Sequence, residues 1–346
     1  MEFKVAAVHA APVFMDTWRS VDKAVELVMQ AKQEAIELLV FPEVFLPGYP
    51  YFIDCYAPRM MDTTIAAYQK ASVEIGGPEI RKIQNAARDA KVAVVMGISE
   101  RMRGGHTCFN SQVFIERDGS VLGVHRKLQP TYAERMVWGQ GGGHTLRTFD
   151  SSVGIIGGLV CWEHTMNLAR QALIQQRQQV HAASWPALST LTGLEDAADG
   201  QIEAMMKNHA ISGQCFVITA SNPIDKGCLE WMDKNLGPQK DVREGGGWSS
   251  IIHPFTTYIA GPHTGGEEKL VSGVINLNDL DRLKVWIDGN GHYSRPEIVR
   301  MTRDPRPIWM DEGLGSAPVI HERTENDTRT AEQDHGESRG TRLTSL

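Results

Sequence analysis

The chain has 346 residues and a formal net charge of -7, with 35 basic and 42 acidic residues. This slight acidity, with basic residues scattered rather than striped, argues against binding to nucleic acid or to an anionic membrane surface. Hydrophobic residues make up 42% of the chain, enough to bury a large core, and the length allows roughly one to three domains. No apolar run approaches the ~20 residues that a membrane-spanning helix needs.

Strand-like and helix-like segments alternate along the chain. Apolar runs predict strands over residues 3–9, 38–42, 92–98, 153–160, 180–185 and 215–220. Apolar positions at helical spacing predict helices over residues 20–37, from 78 onward, 168–178 and 202–212. A hairpin is predicted over residues 110–126 and further strands over 248–252, 257–260 and 270–275. Because hairpins interrupt the alternation, the pattern favours an α/β fold with mixed sheets and outer helices over a parallel barrel.

Two polar segments depart from this pattern. Residues 225–247 are polar and rich in glycine, which predicts a long surface loop. Residues 321–346 contain few apolar side chains and are dominated by threonine, glutamate, arginine and glycine. That composition predicts a disordered tail that carries no catalytic group.

The cysteines are odd in number, widely spaced and without a CxxC pair, so they indicate neither a disulfide framework nor a zinc ribbon. This usage suits a reducing compartment. The first residues lead directly into strand-like sequence, without the apolar stretch of a signal peptide. We therefore expect a cytoplasmic protein. The five cysteines are Cys55, Cys108, Cys161, Cys215 and Cys228.

Three apolar runs end in reactive side chains, namely Glu43, Lys127 and Cys161. Cys161 stands where a strand gives way to helix-forming sequence, and a helix N-terminus favours a thiolate. The ends of strands meet at one rim of an open α/β sheet, where such proteins usually place their sites. We therefore expect the three side chains to converge there.

These residue types suit nucleophilic catalysis without a metal or an organic cofactor. A thiolate of Cys161 would attack an sp or sp² carbon, and Glu43, partly desolvated after a buried strand, would take the thiol proton. Lys127 and the backbone N–H of Trp162 would stabilise the negative charge that develops on the substrate. Taken singly, each residue has a plainer interpretation: a buried structural thiol, a solvated or capping glutamate and a surface lysine.

Four segments resemble blocks of the carbon–nitrogen hydrolase (nitrilase) superfamily. Residues 41–50 (FPEVFLPGYP) are similar to its first block, and residues 125–131 (HRKLQPT) to its lysine block. Residues 132–141 (YAERMVWGQG) follow as in true nitrilases, and residues 157–164 (GGLVCWEH) resemble the nucleophile block. The blocks occur in family order, and the resemblance extends to about residue 300.

The resemblance implies a role for each matching residue. Cys161 matches the nucleophile, Glu43 the general base and acid, and Lys127 the cation that stabilises tetrahedral intermediates. Glu134 matches a second glutamate that positions the substrate or the lysine. Metal ions have no place in this scheme.

The resemblance also implies a four-layer αββα sandwich over residues 1–300, followed by a C-terminal extension at 301–320. Family members pair by stacking their outer helices into eight layers, and nitrilases often extend these pairs into spirals. We therefore expect a homo-oligomer built from dimers, with the helix after Cys161 at the contact.

The residues within these motifs favour the nitrilase branch. Residues 162–164 (WEH) and 47–50 (PGYP) resemble nitrilases, whereas amidase branches more often have tyrosine after the nucleophile. One departure is local, because residues 165–168 (TMNL) replace the more usual Gln-Pro-Leu type of sequence and leave the shape of the substrate open.

The reaction implied is hydrolysis of an organic nitrile by water to a carboxylic acid and ammonia, through a thioimidate and then a thioester on Cys161. An amide or cyanide hydrolase of the same superfamily is the nearest alternative, and a non-catalytic assembly protein is a more distant one. Tyr49, Trp138, Trp185 and Pro186 are candidates to line the pocket, although large aromatic side chains fill a core equally well. His164 is a fifth candidate, with orientation of the local turn as its alternative role.

Overall fold

The computed structural model of the chain describes residues 1–309. The predicted tail at 321–346 and most of the predicted extension lie outside these residues. The strands are β1 Glu2–His9, β2 Ile36–Val40, β3 Ala93–Arg101, β4 Cys108–Ile115, β5 Val121–Arg126, β6 Phe149–Ser151, β7 Gly154–Val160, β8 Val180–Trp185, β9 Phe216–Ser221, β10 Trp248–Ile252, β11 Tyr258–Thr264 and β12 Lys269–Asn276. The α-helices are α1 Thr17–Gln33, α2 Asp62–Ala71, α3 Pro78–Ala90, α4 Asn167–Gln175, α5 Ala198–Gly213, α6 Lys226–Leu236 and α7 Asn278–Lys284.

The strands form two six-stranded sheets of similar design. The first sheet has the order β12-β1-β2-β3-β4-β5, and the second has the order β11-β10-β9-β8-β7-β6. Strands β1, β2 and β3 run parallel, as do β7, β8 and β9, and antiparallel strands flank both groups. The predicted hairpin is confirmed as the antiparallel pair β4–β5. The sheets are therefore mixed, as the alternation of the sequence predicted.

The two sheets pack face to face and helices cover their outer sides. One buried cluster joins Val5 and Leu38 of the first sheet to Ala182 and Ile218 of the second. A second cluster packs α1 and α3 against the first sheet, and a third packs α5 against the second. Burial of apolar surface between these layers drives the assembly. The layers are helix, sheet, sheet and helix, which confirms the predicted αββα sandwich.

Helix α6 occupies the segment that was predicted to be a long surface loop, so that prediction was wrong for residues 226–236. The side chain of Asp225 accepts a hydrogen bond from the backbone N–H of Cys228 at 2.9 Å and caps the helix. Cys228 and Met232 are buried one helical turn apart, and Leu229, Trp231 and Leu236 pack partly buried against the same core. These apolar positions stand within a polar, glycine-rich stretch of sequence, which hid the helix.

The bounds of helix α1 differ from the predicted ones because of the local structure at each end. Helix α1 begins three residues before the predicted start, since the Asp16 side chain accepts a hydrogen bond from the backbone N–H of Arg19. It ends before Ala35, whose left-handed backbone cannot continue the helix. Helices α2 and α7 had no counterpart in the predicted elements. Within residues 1–309, no helix combines the length and apolar character that crossing a bilayer would require.

Candidate active site

Glu43, Lys127 and Cys161 follow strands β2, β5 and β7 and meet in one buried cluster. Lys127 Nζ lies 3.0 Å from Glu43 Oε1. The Cys161 sulfur lies within 4.8 Å of a carboxylate oxygen of Glu43 and of one of Glu134. The predicted convergence is therefore observed. Its location differs from the expected single rim, because β2 and β5 belong to one sheet and β7 to the other.

Glu134 holds Lys127 in place. Its carboxylate accepts hydrogen bonds from Lys127 Nζ at 2.7 Å, from the Tyr49 hydroxyl at 3.0 Å and from the backbone N–H of Thr131 at 2.8 Å. The last bond is half of a capping box at the short helical turn Tyr132–Met136, so local backbone structure fixes this carboxylate. Three donors leave Glu134 suited to anchoring a cation rather than to moving a proton.

Glu43 has one oxygen held and one oxygen available. Oε1 accepts hydrogen bonds from Lys127 Nζ and, at 2.6 Å, from Asn110 Nδ2. Oε2 is buried and has no hydrogen-bond partner in the part of the chain that the structure describes. Burial raises the pKa of Glu43 to about 7, against the opposing effect of Lys127. This carboxyl group is therefore poised to accept and release a proton near neutral pH.

Cys161 is 2% exposed and has a left-handed backbone with φ 53°. Non-glycine residues rarely adopt this conformation, and such outliers are found at functional sites. Burial raises the pKa of the Cys161 thiol well above its ordinary value, and the carboxylate of Glu43 adds to this rise. The backbone N–H of Trp162 in this turn lowers the pKa of the thiol, as expected of a turn that favours a thiolate, but burial outweighs it. The thiol begins a single short helical turn, Cys161–Thr165, in a fully buried setting, so a base must remove its proton.

Lys127 is charged despite being fully buried. Burial alone would lower the pKa of Lys127, but the carboxylates of Glu134 and Glu43 outweigh that effect and raise it. The ammonium bonds both carboxylates, with Nζ 3.0 Å from Glu43 Oε1 and 2.7 Å from Glu134 Oε2. With Cys161 as a thiol, one ammonium and two carboxylates leave a net charge of −1, and a thiolate would make it −2. Burial therefore favours a proton on Cys161 and on Glu43.

Glu163 ties two of these segments together, a role that the sequence did not reveal. Its carboxylate accepts hydrogen bonds from the backbone N–H groups of Val160 at 2.9 Å and Leu128 at 2.8 Å, and it contacts His125 Nε2 at 3.0 Å. Burial alone would raise the pKa of Glu163, but His125 and the backbone donors lower it, so the group is a carboxylate. It joins the residue before Cys161 to the residue after Lys127. A glutamate two positions after a cysteine was its only signal in the sequence.

Two predicted pocket residues lie beside the cluster. Tyr49 donates to Glu134, and its ring centroid is 6.0 Å from that of Trp138. Trp138 is 4% exposed and donates from Nε1 to Ser99 Oγ at 2.9 Å. Tyr49 also lines a cavity whose wall includes Phe14, Tyr51, Asn222, Asp225 and Cys228.

The other three predicted pocket residues are His164 and Trp185, which pack at the Cys161 turn, and Pro186. His164 contacts the backbone carbonyl of Cys161 through Nδ1 at 2.6 Å and stacks on Trp185, with ring centroids 5.3 Å apart. Both side chains are fully buried. The carbonyl of Pro186 accepts a hydrogen bond from Ser221 Oγ at 3.1 Å. Their observed contacts are with the core and the turn, which matches the alternatives given for them.

The fold and this site define the class of protein: an αββα sandwich with a thiol, an ammonium and two carboxylates buried together. The carbon–nitrogen hydrolase family matches residues 4–285. A nitrilase of Pseudomonas syringae pv. syringae is 34% identical over 323 residues, covering 93% of this chain and 96% of its own length. An aliphatic nitrilase of Rhodococcus rhodochrous is 36% identical over 307 residues, covering 88% of this chain and 83% of its own.

Solved structures agree on the fold. A carbon–nitrogen hydrolase from Helicobacter pylori G27 superposes with a TM-score of 0.67 at 17% identity, covering 87% of this chain and all of that one. The chain belongs to the carbon–nitrogen hydrolase family and is a hydrolase.

Proposed function

We propose that this protein hydrolyses an organic nitrile to the carboxylic acid and ammonia, with Cys161 as nucleophile, Glu43 as general base and acid, and Lys127 as the stabilising cation. The observation that carries the proposal is the buried cluster itself. A thiol lies within 4.8 Å of a carboxylate whose second oxygen has no partner among residues 1–309, and an ammonium bonds that same carboxylate at 3.0 Å. Relatives that are named nitrilases support the choice of a nitrile over another carbon–nitrogen bond.

The first stage forms a covalent thioimidate. Glu43 takes the thiol proton, the sulfur of Cys161 adds to the nitrile carbon, and the nitrogen receives the proton back from Glu43. The backbone N–H of Trp162 and the ammonium of Lys127 face the negative charge that develops on nitrogen. Preorganised donors of this kind lower the barrier because they need no rearrangement during the reaction.

The second stage consumes two water molecules. Glu43 takes a proton from the first water as it adds to the thioimidate carbon, and protonated nitrogen leaves as ammonia to give a thioester. The second water releases the carboxylic acid and restores the thiol. If the first tetrahedral intermediate expels sulfur instead of ammonia, an amide is released. The balance is one nitrile and two waters to one acid and one ammonia.

A substrate panel tests the reaction. Ammonia release should be measured from aliphatic nitriles, aromatic nitriles, arylacetonitriles, the corresponding amides and cyanide, with acid and amide products separated by chromatography. Acid and ammonia from at least one nitrile support the proposal. Ammonia from amides alone, or from cyanide alone, would instead assign the site to another reaction of the family, and no turnover of any compound would favour an assembly role.

A cysteine comparison tests the nucleophile. Cys161→Ala should abolish turnover and leave the thermal midpoint nearly unchanged, whereas Cys215→Ala removes a buried thiol of the second sheet region and should keep activity. Mass spectrometry of the unaltered protein quenched during turnover should find a substrate-derived adduct on Cys161. Activity that survives in Cys161→Ala would refute the assignment.

We propose a homo-oligomer that associates through α4, on which the Leu168 side chain is 69% exposed, beside Met166 at 38%. Light scattering of the unaltered protein and of Leu168→Glu tests this, since a charge at the contact should reduce the mass of the particle.

We also propose residues 1–300 as the hydrolase domain, in a cytoplasmic protein whose five cysteines are unpaired.

A further inference from the structure

The peptide group between Cys161 and Trp162 connects the proposed oxyanion donor to the core. The N–H of Trp162 and the C=O of Cys161 belong to one planar trans unit, so they point in opposite directions. The Trp162 N–H lowers the pKa of the Cys161 thiol, so it acts on the reacting sulfur. Whatever holds the carbonyl therefore sets the direction of this N–H at the reacting centre.

His164 holds that carbonyl. Its Nδ1 lies 2.6 Å from the oxygen of Cys161, and because a carbonyl can only accept, Nδ1 must carry the hydrogen. Burial lowers the pKa of His164 to about 4, so the ring is neutral and its Nε2 is an acceptor. The ring is fully buried and stacked on Trp185, which leaves it no alternative position.

The contacts behind His164 admit only one arrangement of hydrogens. His164 Nε2 lies 2.8 Å from His181 Nε2, so the latter must donate. His181 Nδ1 is then an acceptor, and of its two contacts with Gln178, Nε2 at 3.0 Å and Oε1 at 3.3 Å, only the amide nitrogen can donate to it. Gln178 Oε1 accepts from His209 Nε2 at 3.1 Å. His209 Nδ1 ends this series of hydrogen bonds and has no hydrogen-bond partner among the described residues. These side chains are all buried, so bulk water does not compete for their hydrogen bonds.

We propose that His164 is a positioning residue of the reaction: it orients and polarises the Cys161–Trp162 peptide so that the Trp162 N–H stabilises negative charge on the substrate. The chain His181–Gln178–His209 fixes the hydrogen of His164 on Nδ1. A hydrogen bond to a carbonyl strengthens the N–H of the same peptide as a donor, since bonds in series polarise one another. The proposal rests on the function proposed above.

Two substitutions of His164 separate this role from packing. Asparagine places an amide nitrogen where Nδ1 stands and keeps a donor for the carbonyl, whereas leucine has a similar bulk and no donor. His164→Leu should lower kcat by about 10- to 100-fold, less than the ~10²–10³-fold loss of a complete oxyanion donor, with KM nearly unchanged. His164→Asn should retain most of kcat.

His9 supplies a matched control. It is another fully buried histidine, with Nδ1 2.9 Å from Ser249 Oγ and Nε2 2.9 Å from the carbonyl of Gly265. His9→Leu removes a comparable pair of hydrogen bonds and should destabilise the fold without a selective loss of kcat. Kinetics use whichever substrate the unaltered protein hydrolyses, so failure of the proposed function would appear before any variant is compared.

Nitrogen NMR of the unaltered full chain labelled with ¹⁵N-histidine tests this arrangement of hydrogens, and variants serve only to assign the signals. The expected result is an Nδ1–H form of His164 and Nε2–H forms of His181 and His209, each neutral at pH 7, with signals assigned from single histidine variants. The proposal is overturned by an Nε2–H form of His164. It is also overturned if His164→Leu and His164→Asn lose kcat equally, or if neither loses more than His9→Leu.

Discussion

Glu43 and Asn110 are joined by a hydrogen bond of 2.6 Å from Nδ2 to Oε1, which leaves Oε2 of the carboxylate without a partner in residues 1–309. Asn110 lies in β4, and its backbone carbonyl also accepts from the N–H of Lys127 at 2.8 Å. One strand residue therefore aligns the proposed base with the proposed cation. The unpartnered oxygen is the group that the chemistry requires for proton transfer with the thiol.

The pKa of Glu43 predicts the acid limb of the pH–rate profile. Glu43 must be ionised to take the thiol proton, and burial raises its pKa to about 7. We therefore expect kcat/KM to fall as pH decreases through about 7, with a slope of one proton. The measurement is kcat/KM between pH 5.5 and 9 with an uncharged nitrile. An acid limb near the ordinary glutamate pKa would contradict the burial argument.

Asn110→Leu should move this limb to higher pH. The hydrogen bond from Asn110 stabilises the ionised carboxylate and lowers the pKa of Glu43, so its loss raises that pKa further. Ser111→Ala is the control, because the neighbouring hydroxyl donates to Glu100 instead. An unchanged limb in Asn110→Leu, or an equal shift in the control, would count against the role of Asn110.

Glu134→Gln should move the limb in the opposite direction. The charge of Glu134 raises the pKa of Glu43 and shares its cation, Lys127. Removing that charge leaves Lys127 to Glu43 alone and stabilises the ionised form of Glu43. We expect the acid limb at lower pH together with a reduced kcat, since the amide keeps one acceptor oxygen but removes the negative charge that anchors Lys127. Profiles of the two variants measured side by side would show shifts of opposite sign, and shifts of the same sign would refute the electrostatic explanation.

Glu43 should also make the fold less stable at neutral pH than at mildly acidic pH. Its pKa is about 7 in the folded protein and about 4.5 when unfolded, so between these values only the folded state keeps the proton. Stability therefore decreases as pH rises through this window, by on the order of a few kcal/mol when the shift is converted at ~1.4 kcal/mol per pKa unit. Glu43→Gln lacks this group. Urea denaturation should show that the stability of the variant relative to the unaltered protein increases from pH 5 to pH 8, and a constant difference would exclude this contribution.

Much of the fold and the reactive residues could be predicted because their signals are local. The alternation of strand-like and helix-like segments identified the parallel strands of both sheets. Glu43, Lys127 and Cys161 stand within short stretches of recognisable sequence. Helix α6 was missed because its apolar residues stand within a polar, glycine-rich segment. Local pattern could not place the thiol between two sheets, since that depends on how the layers pack.

The supporting residues were not predicted because each acts on a partner distant in the chain. Asn110 bonds a carboxylate 67 residues earlier, and Glu163 bonds a backbone group 35 residues earlier. Asn110 gave a faint signal as the first of three successive polar residues in a strand that is otherwise apolar. His209 falls on the apolar face of the helix predicted over residues 202–212, which indicates burial but not its partner. His181 gave no signal, because a buried neutral histidine resembles any polar residue in a strand.

Gly97 in β3 controls where the loop with Glu43 lies. A Cβ at Gly97 would stand 2.0 Å from the carbonyl oxygen of Pro42 and 2.8 Å from the backbone nitrogen of Val44, so Gly97→Ala must displace the residues on both sides of Glu43. A shift of ~1 Å at a reacting group can cost about 10²-fold in rate, and we expect a loss of kcat of that order. Gly200→Ala is the control, because a Cβ there meets no atom within 4 Å. The close contact means that a methyl group at Gly97 cannot be accepted without displacing the loop with Glu43. Full activity in Gly97→Ala would therefore show that the position of this loop does not limit the reaction.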